Sequence, residues 1–365
     1  MALEKLAIAE RKVKIRSIED RPIEGRSIEG RDQERWDEYV QASPISSIYH
    51  LSAWKKVLES SLGHPVYYLY AEEEDKGVVG VLPMAHLKSW LFGSRLISLP
   101  CFNYGGICAQ DPEVQMALIR QGMEIARKIG AQHIELRQME SYPWKLPVKR
   151  HRVAMVLDLP GPWSKLWQGF SAKLRNQIRK GEQQGFEFRQ GGEEELDAFY
   201  EVFARNMRDL GTPVQGKKFF KAVLATFPDR SGICTVYKGA KPLASGLVLG
   251  FKDTLEIPWA SSLREYNSSC ANMLLYWGVL RYACDTGYAS FDFGRSAPGS
   301  GTYRFKVQWG AKPRPLYWYY WLREGGDLPA LHPENPKYRL AIQLWKRMPL
   351  PLSRAIGPLL ARSMP

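Results

Sequence analysis

The chain has 365 residues, more than one ordinary hydrophobic core holds, and its length predicts two domains. Apolar residues make up 45% and charged residues 24%, the balance of a soluble globular protein, and no run approaches the roughly 18 apolar residues of a membrane span. A formal charge of +13 favours polyanionic partners (RNA, nucleotide-linked substrates or an anionic membrane surface) without choosing among them. The five cysteines are scattered without a C-x-x-C pair, and the six histidines lack metal-ligand spacing. The expectation is a cytoplasmic chain with reduced thiols and no metal site.

Residues 16 to 31 repeat a pentad, Arg-Ser-Ile-Glu-Asp, Arg-Pro-Ile-Glu-Gly, Arg-Ser-Ile-Glu-Gly, whose period fits neither helix nor strand. Residues 1 to 31 therefore read as a loosely ordered leader without a signal-peptide core. Strands follow at Val66–Tyr70, Val78–Leu82 and Arg95–Leu99, then an amphipathic helix through Val114, Leu118, Ile125 and Ile129. That helix ends at Gly130, before the strand residues Ile134-Glu135-Leu136. The same series recurs as Ile233–Tyr237, Leu243–Leu249, Thr254–Trp259, an apolar helix Ala271–Asp285, Gly287 and Phe291-Asp292-Phe293. Both copies share Ala-x3-Gly-x3-apolar-acid-apolar at an offset of 157 residues, Ala126 to Ala283. Such duplication predicts two copies of one α/β module with mixed sheets, at 32–158 and 159–323. After Glu324 a basic tail carries Leu340, Leu344, Trp345 and Met348 at helical spacing, and is expected to return to the first module rather than lie on a membrane.

Between the copies, Ser171 to Gly185 reads as a helix with Leu174 and Ile178 facing the core. Lys173, Arg175, Arg179 and Lys180 form a phosphate-sized positive patch with Glu182 as the segment's one acid, the alternative being a plain solvated face. The stretch from Phe291 to Gly310 reads as a buried strand, a Gly/Pro/Ser loop and a turn with Arg304 and Lys306, placing cations at a sheet edge. Lys306 is the candidate for oxyanion stabilisation or for holding a donor phosphate, as a loop lysine outside the core. Asp292 is the candidate proton acceptor, the alternative being a structural acid like Glu135 in the equivalent place. Arg295, Tyr303, Arg304 and Phe305 join the substrate-binding candidates. Trp259, Ser261, Ser262 and Asn272 are expected where the central strands part, with Ser268 or Ser269 capping the next helix. P-loop, G-x-S-x-G and G-x-G-x-x-G motifs are absent, which argues against nucleotide hydrolysis, serine hydrolysis and dehydrogenation.

The segments Tyr49-His-Leu-Ser-Ala-Trp54, Leu99-Pro-Cys-Phe-Asn-Tyr-Gly-Gly106, Lys173–Lys180, Asn206–Pro213 and Tyr303-Arg-Phe-Lys-Val-Gln-Trp-Gly310 together resemble the FemAB family of tandem GNAT-type acyltransferases. The likeness spans most of residues 35 to 350 and is closest to FemAB-like proteins accompanying exosortase (PEP-CTERM) and exopolysaccharide loci. It implies two GNAT-like modules and transfer of an acyl or aminoacyl group to an amine of a sugar- or lipid-linked envelope precursor. The implied donor is an aminoacyl-tRNA or an acyl thioester, with no permanently bound cofactor. The implied partners are a phosphate-bearing acceptor, tRNA and, through the tail, the inner membrane; the protein is expected to act as a monomer. The family's aromatic-Lys pair falls on Phe305-Lys306, and its precursor-phosphate cations on Lys173, Arg175, Arg179 or Lys180. Asn103-Tyr104 fall where family members often carry an acid, and Asn103 cannot act as a base. The acetyl-CoA loop Arg/Gln-x-x-Gly-x-Gly/Ala is missing at both strand–helix junctions, which argues against ordinary acetyl-CoA use. A non-catalytic RNA- or glycan-binding protein, or a membrane-associated export assembly factor, is the rival reading.

Overall fold

The computed structural model describes residues 13–18, 28–90, 92–324, 326–329 and 336–364. Most of the pentad repeat lies outside them. In the first copy, strands β1 (Lys14–Ser17), β2 (Val66–Glu73), β3 (Gly77–Ser89), β4 (Gly93–Ile97), β5 (His133–Gln138) and β6 (Val148–Lys149) alternate with helices α1 (Ile28–Ala42), α2 (Trp54–Leu62) and α3 (Pro112–Lys128). The chain continues through β7 (Val153–Asp158), α4 (Trp163–Gly169) and α5 (Ala172–Glu182). The second copy holds β8 (Glu187–Gly191), α6 (Leu196–Leu210), α7 (Lys217–Thr226), β9 (Ser231–Lys238), β10 (Lys241–Phe251), β11 (Thr254–Ser262), α8 (Ala271–Asp285) and β12 (Ser290–Ser296). Last come α9 (Gly301–Val307), β13 (Lys312–Pro315), β14 (Tyr317–Leu322), α10 (Pro336–Arg347) and α11 (Leu350–Ala361).

Two seven-stranded sheets result, ordered β1-β2-β3-β4-β5-β14-β6 and β8-β9-β10-β11-β12-β7-β13. The orders are the same strand for strand, as duplication requires. In each, one central pair is parallel, β4 with β5 and β11 with β12. Each sheet takes one strand from beyond the other copy: β14 enters the first between β5 and β6, and β7 enters the second between β12 and β13. The sequence boundaries at 158 and 323 are thereby corrected. They grouped β7 with the first sheet and β14 with the second, because a periodic pattern identifies a strand but not its partner.

The helix starts have local causes. Asp111 caps α3 by accepting the Glu113 N–H at 2.8 Å, Pro112 opens the helix, and Arg127 and Lys128 complement its C-terminal dipole. The paired glycines of the repeat, Gly130 and Gly287, both turn the chain at positive φ (70° and 83°). α3 and α8 cover the outer faces of their sheets, while α1, α2, α6 and α7 fill one shared core between the two inner faces. This shared core binds the modules to each other.

Three local expectations are revised. Lys14–Ser17, read as leader, pairs antiparallel with β2 as the edge strand of the first sheet, with alternate residues exposed and half-buried. Neither Ser268 nor Ser269 caps α8, whose N-cap is Cys270 in a left-handed conformation. The tail packs chiefly on α6 of the second copy: Ile342 sits against Gly211, and Gly357 against Val214. Its end then reaches the first copy, where His64 Nε2 donates to the Arg362 carbonyl (2.6 Å) and Arg95 donates to that of Ser363.

Candidate functional site

β11 and β12 run in parallel register through Thr254–Ser290, Leu255–Phe291 and Glu256–Asp292, and then part. A cleft of about 510 Å³ opens beyond that last pair. Pro258, Trp259 and Ala260 form one wall, and Phe293, Gly294, Arg295 and Lys306 the other. The first copy closes it with Cys101, Phe102 and Asn103; α6 and the tail residues Ala361 and Met364 complete it. The closing segment is strained, since Leu99 (φ 45°) and Cys101 (φ 74°) both adopt left-handed backbone without being glycine. Arg137 holds that segment by donating to the Phe102 carbonyl.

Beneath the cleft, outside its lining, lies a buried carboxyl pair, Glu256 and the sequence-predicted Asp292. Tyr49 Oη donates to Glu256 Oε2 at 2.6 Å. Tyr104 Oη lies 3.0 Å from that same oxygen and 2.9 Å from Asp292 Oδ2. One hydroxyl supplies one proton, so the second short contact calls for a proton on a carboxyl group. Burial supplies it: desolvation, then the Asp292 charge, push Glu256 up to about 8, and burial also raises Asp292. Glu256 Oε1 has no partner among the described residues, which a neutral carboxyl tolerates better than a carboxylate. Asp292 Oδ1 accepts the Gly294 N–H at 2.7 Å, so Asp292 is the better-stabilised anion of the two.

Lys306 belongs to a short helix, α9, whose N-cap Ser300 accepts the Tyr303 N–H. Its side chain is 7% exposed rather than a solvated loop lysine, which corrects the sequence expectation. The Gly/Pro/Ser composition hid the helix, and α9 turns Lys306 inward onto the end of β12. The ammonium donates to the carbonyls of Gly294 and Arg295, each at 2.9 Å. Burial pulls it down to about 8, while Asp292 and Glu256 pull the other way.

The other candidates separate into those at the cleft and those away from it. Asn103, Trp259 and Arg295 line it, and the Asn103 carbonyl accepts Trp318 Nε1 at 3.2 Å. Tyr104 sits beneath, on the carboxyl pair. Ser261 is buried and accepts the Asn206 amide at 2.9 Å, whereas Ser262 is turned toward Asn267. Asn272 stands on the first turn of α8, outside the lining. Tyr303 and Phe305 pack against the core under α8, with Phe305 5.0 Å from Tyr276, and exposed Arg304 bonds the Gly299 carbonyl at 2.7 Å. On α5, Arg175 points at the carbonyls of Trp167 and Gln168, and Arg179 lies over the Trp167 ring. Lys173 and Lys180 are exposed, and none of these four α5 cations lines the cleft.

Glu256, Tyr49 and Arg137 were missed as site residues. Their signal is an acid, a phenol and a guanidinium on strand or turn positions that face protein rather than water. Among the described residues no group of three or more His, Cys, Asp or Glu side chains could hold a metal ion.

Residues 168–307, from α4 to the end of α9, match the model of the acetyltransferase (GNAT) domain, and so include the whole carboxyl–lysine group. No curated protein matches the sequence significantly. Among solved structures, FemX superposes with a TM-score of 0.61 at 14% identity, covering 85% of this chain and 98% of its own. The C-terminal domain of a putative lysylphosphatidylglycerol synthetase from Agrobacterium fabrum gives 0.54 at 16% identity, over 80% and 92%. A tandem GNAT protein from the clavulanic acid biosynthesis pathway gives 0.52 at 12%, over 87% and 100%. At such identities the likeness is one of fold, and that fold is a mixed α/β pair of tandem GNAT-like modules.

Proposed function

We propose that this chain is an N-acyltransferase that passes an acyl or aminoacyl group to an amine on a phosphate-bearing, sugar- or lipid-linked precursor of the cell envelope or an exopolysaccharide. The observation that carries the reading is the parting of β11 and β12 directly beyond Glu256 and Asp292, with the Lys306 ammonium on the wall. Such a slot takes a donor carbonyl between two strands and offers it one cation and one proton acceptor. The amine nitrogen attacks the carbonyl carbon, forming the C–N bond. The oxyanion that develops is met by Lys306. The carbonyl re-forms as the C–O bond of an aminoacyl ester, or the C–S bond of a thioester, breaks, and the donor leaves as an alcohol or thiol by taking up the proton that the amine gives to Asp292. The amine proton passes through the Tyr104 hydroxyl to Asp292, the ionised member of the pair, while Glu256 stays neutral below about 8. Closure of the cleft by the first copy aligns both reactants within a single chain, which suits a monomer.

The tail supports work at the inner membrane surface. Residues 336–364 contain no acid, and Leu340, Leu344, Leu352 and Leu359 are 58%, 60%, 46% and 63% exposed among Arg339, Lys346, Arg347 and Arg354. No helix among the described residues is long and apolar enough to cross a membrane. The test is turnover of radiolabelled aminoacyl-tRNA or acyl-CoA by the purified protein with envelope extract. Label moving to an acceptor supports the reading. Binding of either donor without turnover favours a non-catalytic binder.

A further inference from the structure

Beside the carboxyl–lysine group, a second group of charges crosses from one sheet to the other. Arg295 on β12 lines the cleft and is open to solvent, though protein encloses it on most sides. Its guanidinium carbon lies 5.7 Å from the centroid of Trp318, on β14 of the opposite sheet. Fully buried Arg137 lies 4.4 Å from that ring. Arg137 Nε donates to Glu135 at 2.7 Å and one terminal nitrogen to the Phe102 carbonyl, leaving the other terminal nitrogen without a partner among the described residues. Arg152 adds a third positive charge acting on Arg295, opposed by Glu135. The neighbouring Cys101 thiol stays protonated, since burial pushes it up to about 11. Three guanidiniums against one carboxylate leave an excess of two positive charges, with Arg295 the one of the three that lines the cleft.

We infer that Arg295, backed by Arg137 across the Trp318 ring, forms a subsite for a phosphate dianion at the mouth of the cleft. Like charges held together in a half-enclosed site are costly unless an anion compensates them. The excess of two matches a dianion better than a carboxylate. A guanidinium fork fits phosphate oxygens in pairs, and exposed Arg295 makes that contact while Arg137 fixes the Cys101–Asn103 wall beside it. The α5 cations do not offer this: they stand outside the lining, and Arg175 and Arg179 are engaged with α4. The inference uses the proposed transfer cleft but not the reaction, so binding measured without turnover fails or succeeds separately from it.

The experiment is calorimetric titration of the full chain with sulfate, inorganic phosphate and acetate at low ionic strength and neutral pH. Sulfate and phosphate should bind more tightly than acetate. Arg295→Gln should weaken both by about tenfold or more, the loss of one charge-assisted contact. Arg295→Lys, which keeps charge but not the fork, should fall between, and Lys173→Gln with Lys180→Gln should bind as wild type. Adenosine 3′,5′-bisphosphate and UDP then separate a donor's phosphates from those of a nucleotide-linked acceptor, the true source being the one whose affinity Arg295→Gln removes. Undetectable sulfate binding by the wild type, unchanged affinity in Arg295→Gln, or loss confined to the α5 variant overturns the subsite.

Discussion

Lys306→Met separates a catalytic ammonium from a structural one, because the structure sets opposing terms on its stability. The side chain keeps its length and apolar stem, and the loss is the charge. Two hydrogen bonds from that charge to the Gly294 and Arg295 carbonyls go with it, contributing about 3 to 6 kcal/mol together. Against this, burial moves the ammonium from 10.5 to about 8, so holding it charged costs about 3 kcal/mol. The two nearly offset, and stability should fall by no more than about 3 kcal/mol. Turnover should fall much further, by about two to three orders of magnitude, as when a single donor to a developing oxyanion is removed. Lys312→Met is the control: its side chain is 78% exposed and pairs with Asp158 at 3.3 Å, an exposed bridge worth about 0 to 1 kcal/mol. Single-turnover transfer alongside urea unfolding reads both quantities. Full activity in Lys306→Met, or loss of fold with no active fraction to measure, would refute the role assigned to this lysine.

Glu256 titrates far above its ordinary value, so its sign differs from that of a salt-bridged acid. The folded state holds the proton more tightly than the unfolded chain, and its contribution is present below about 4.5 and lost as pH rises through about 8. Wild-type stability in urea should therefore decline between pH 6 and pH 8.5, and Glu256→Gln should flatten that decline; parallel curves would contradict a neutral Glu256. Tyr104→Phe leaves two buried carboxyls without their shared donor. It should cost about 1 to 3 kcal/mol in unfolding experiments and slow transfer, and an unaltered rate would exclude the proton route. Leu340→Asp with Leu344→Asp should lower binding to phosphatidylglycerol vesicles without changing transfer to a soluble acceptor, and equal vesicle binding would remove the tail from membrane contact.

The duplication was legible because Ala126 to Leu136 and Ala283 to Phe293 each end a helix at glycine and begin a strand with a central acid. The exchange of β7 and β14 was not, since alternation along Val153–Asp158 or Tyr317–Leu322 carries no information about the neighbouring strand. α5 was legible as an amphipathic helix with Leu174 and Ile178 buried, but its cations gave no clue to their distance from the cleft. Lys306 was found by its motif and misplaced in its environment. Glu256 was missed for a related reason. In Leu255-Glu256-Ile257 an acid between apolar residues reads as a solvent-facing position, whereas here the second face is closed by Tyr49 and Tyr104 of the other copy. A sheet with both faces covered inverts what alternation means, and only the fold shows that it is covered.

The central claim is that an amide is made at the β11–β12 cleft, and the nature of the new bond tests it most directly. Acceptor isolated after incubation with labelled donor and purified protein is treated with alkaline hydroxylamine, which strips esters and thioesters but spares amides. The account predicts hydroxylamine-resistant label on the acceptor with the wild type and its near absence with Lys306→Met. Label that remains on the donor, or leaves the acceptor on treatment, would contradict it.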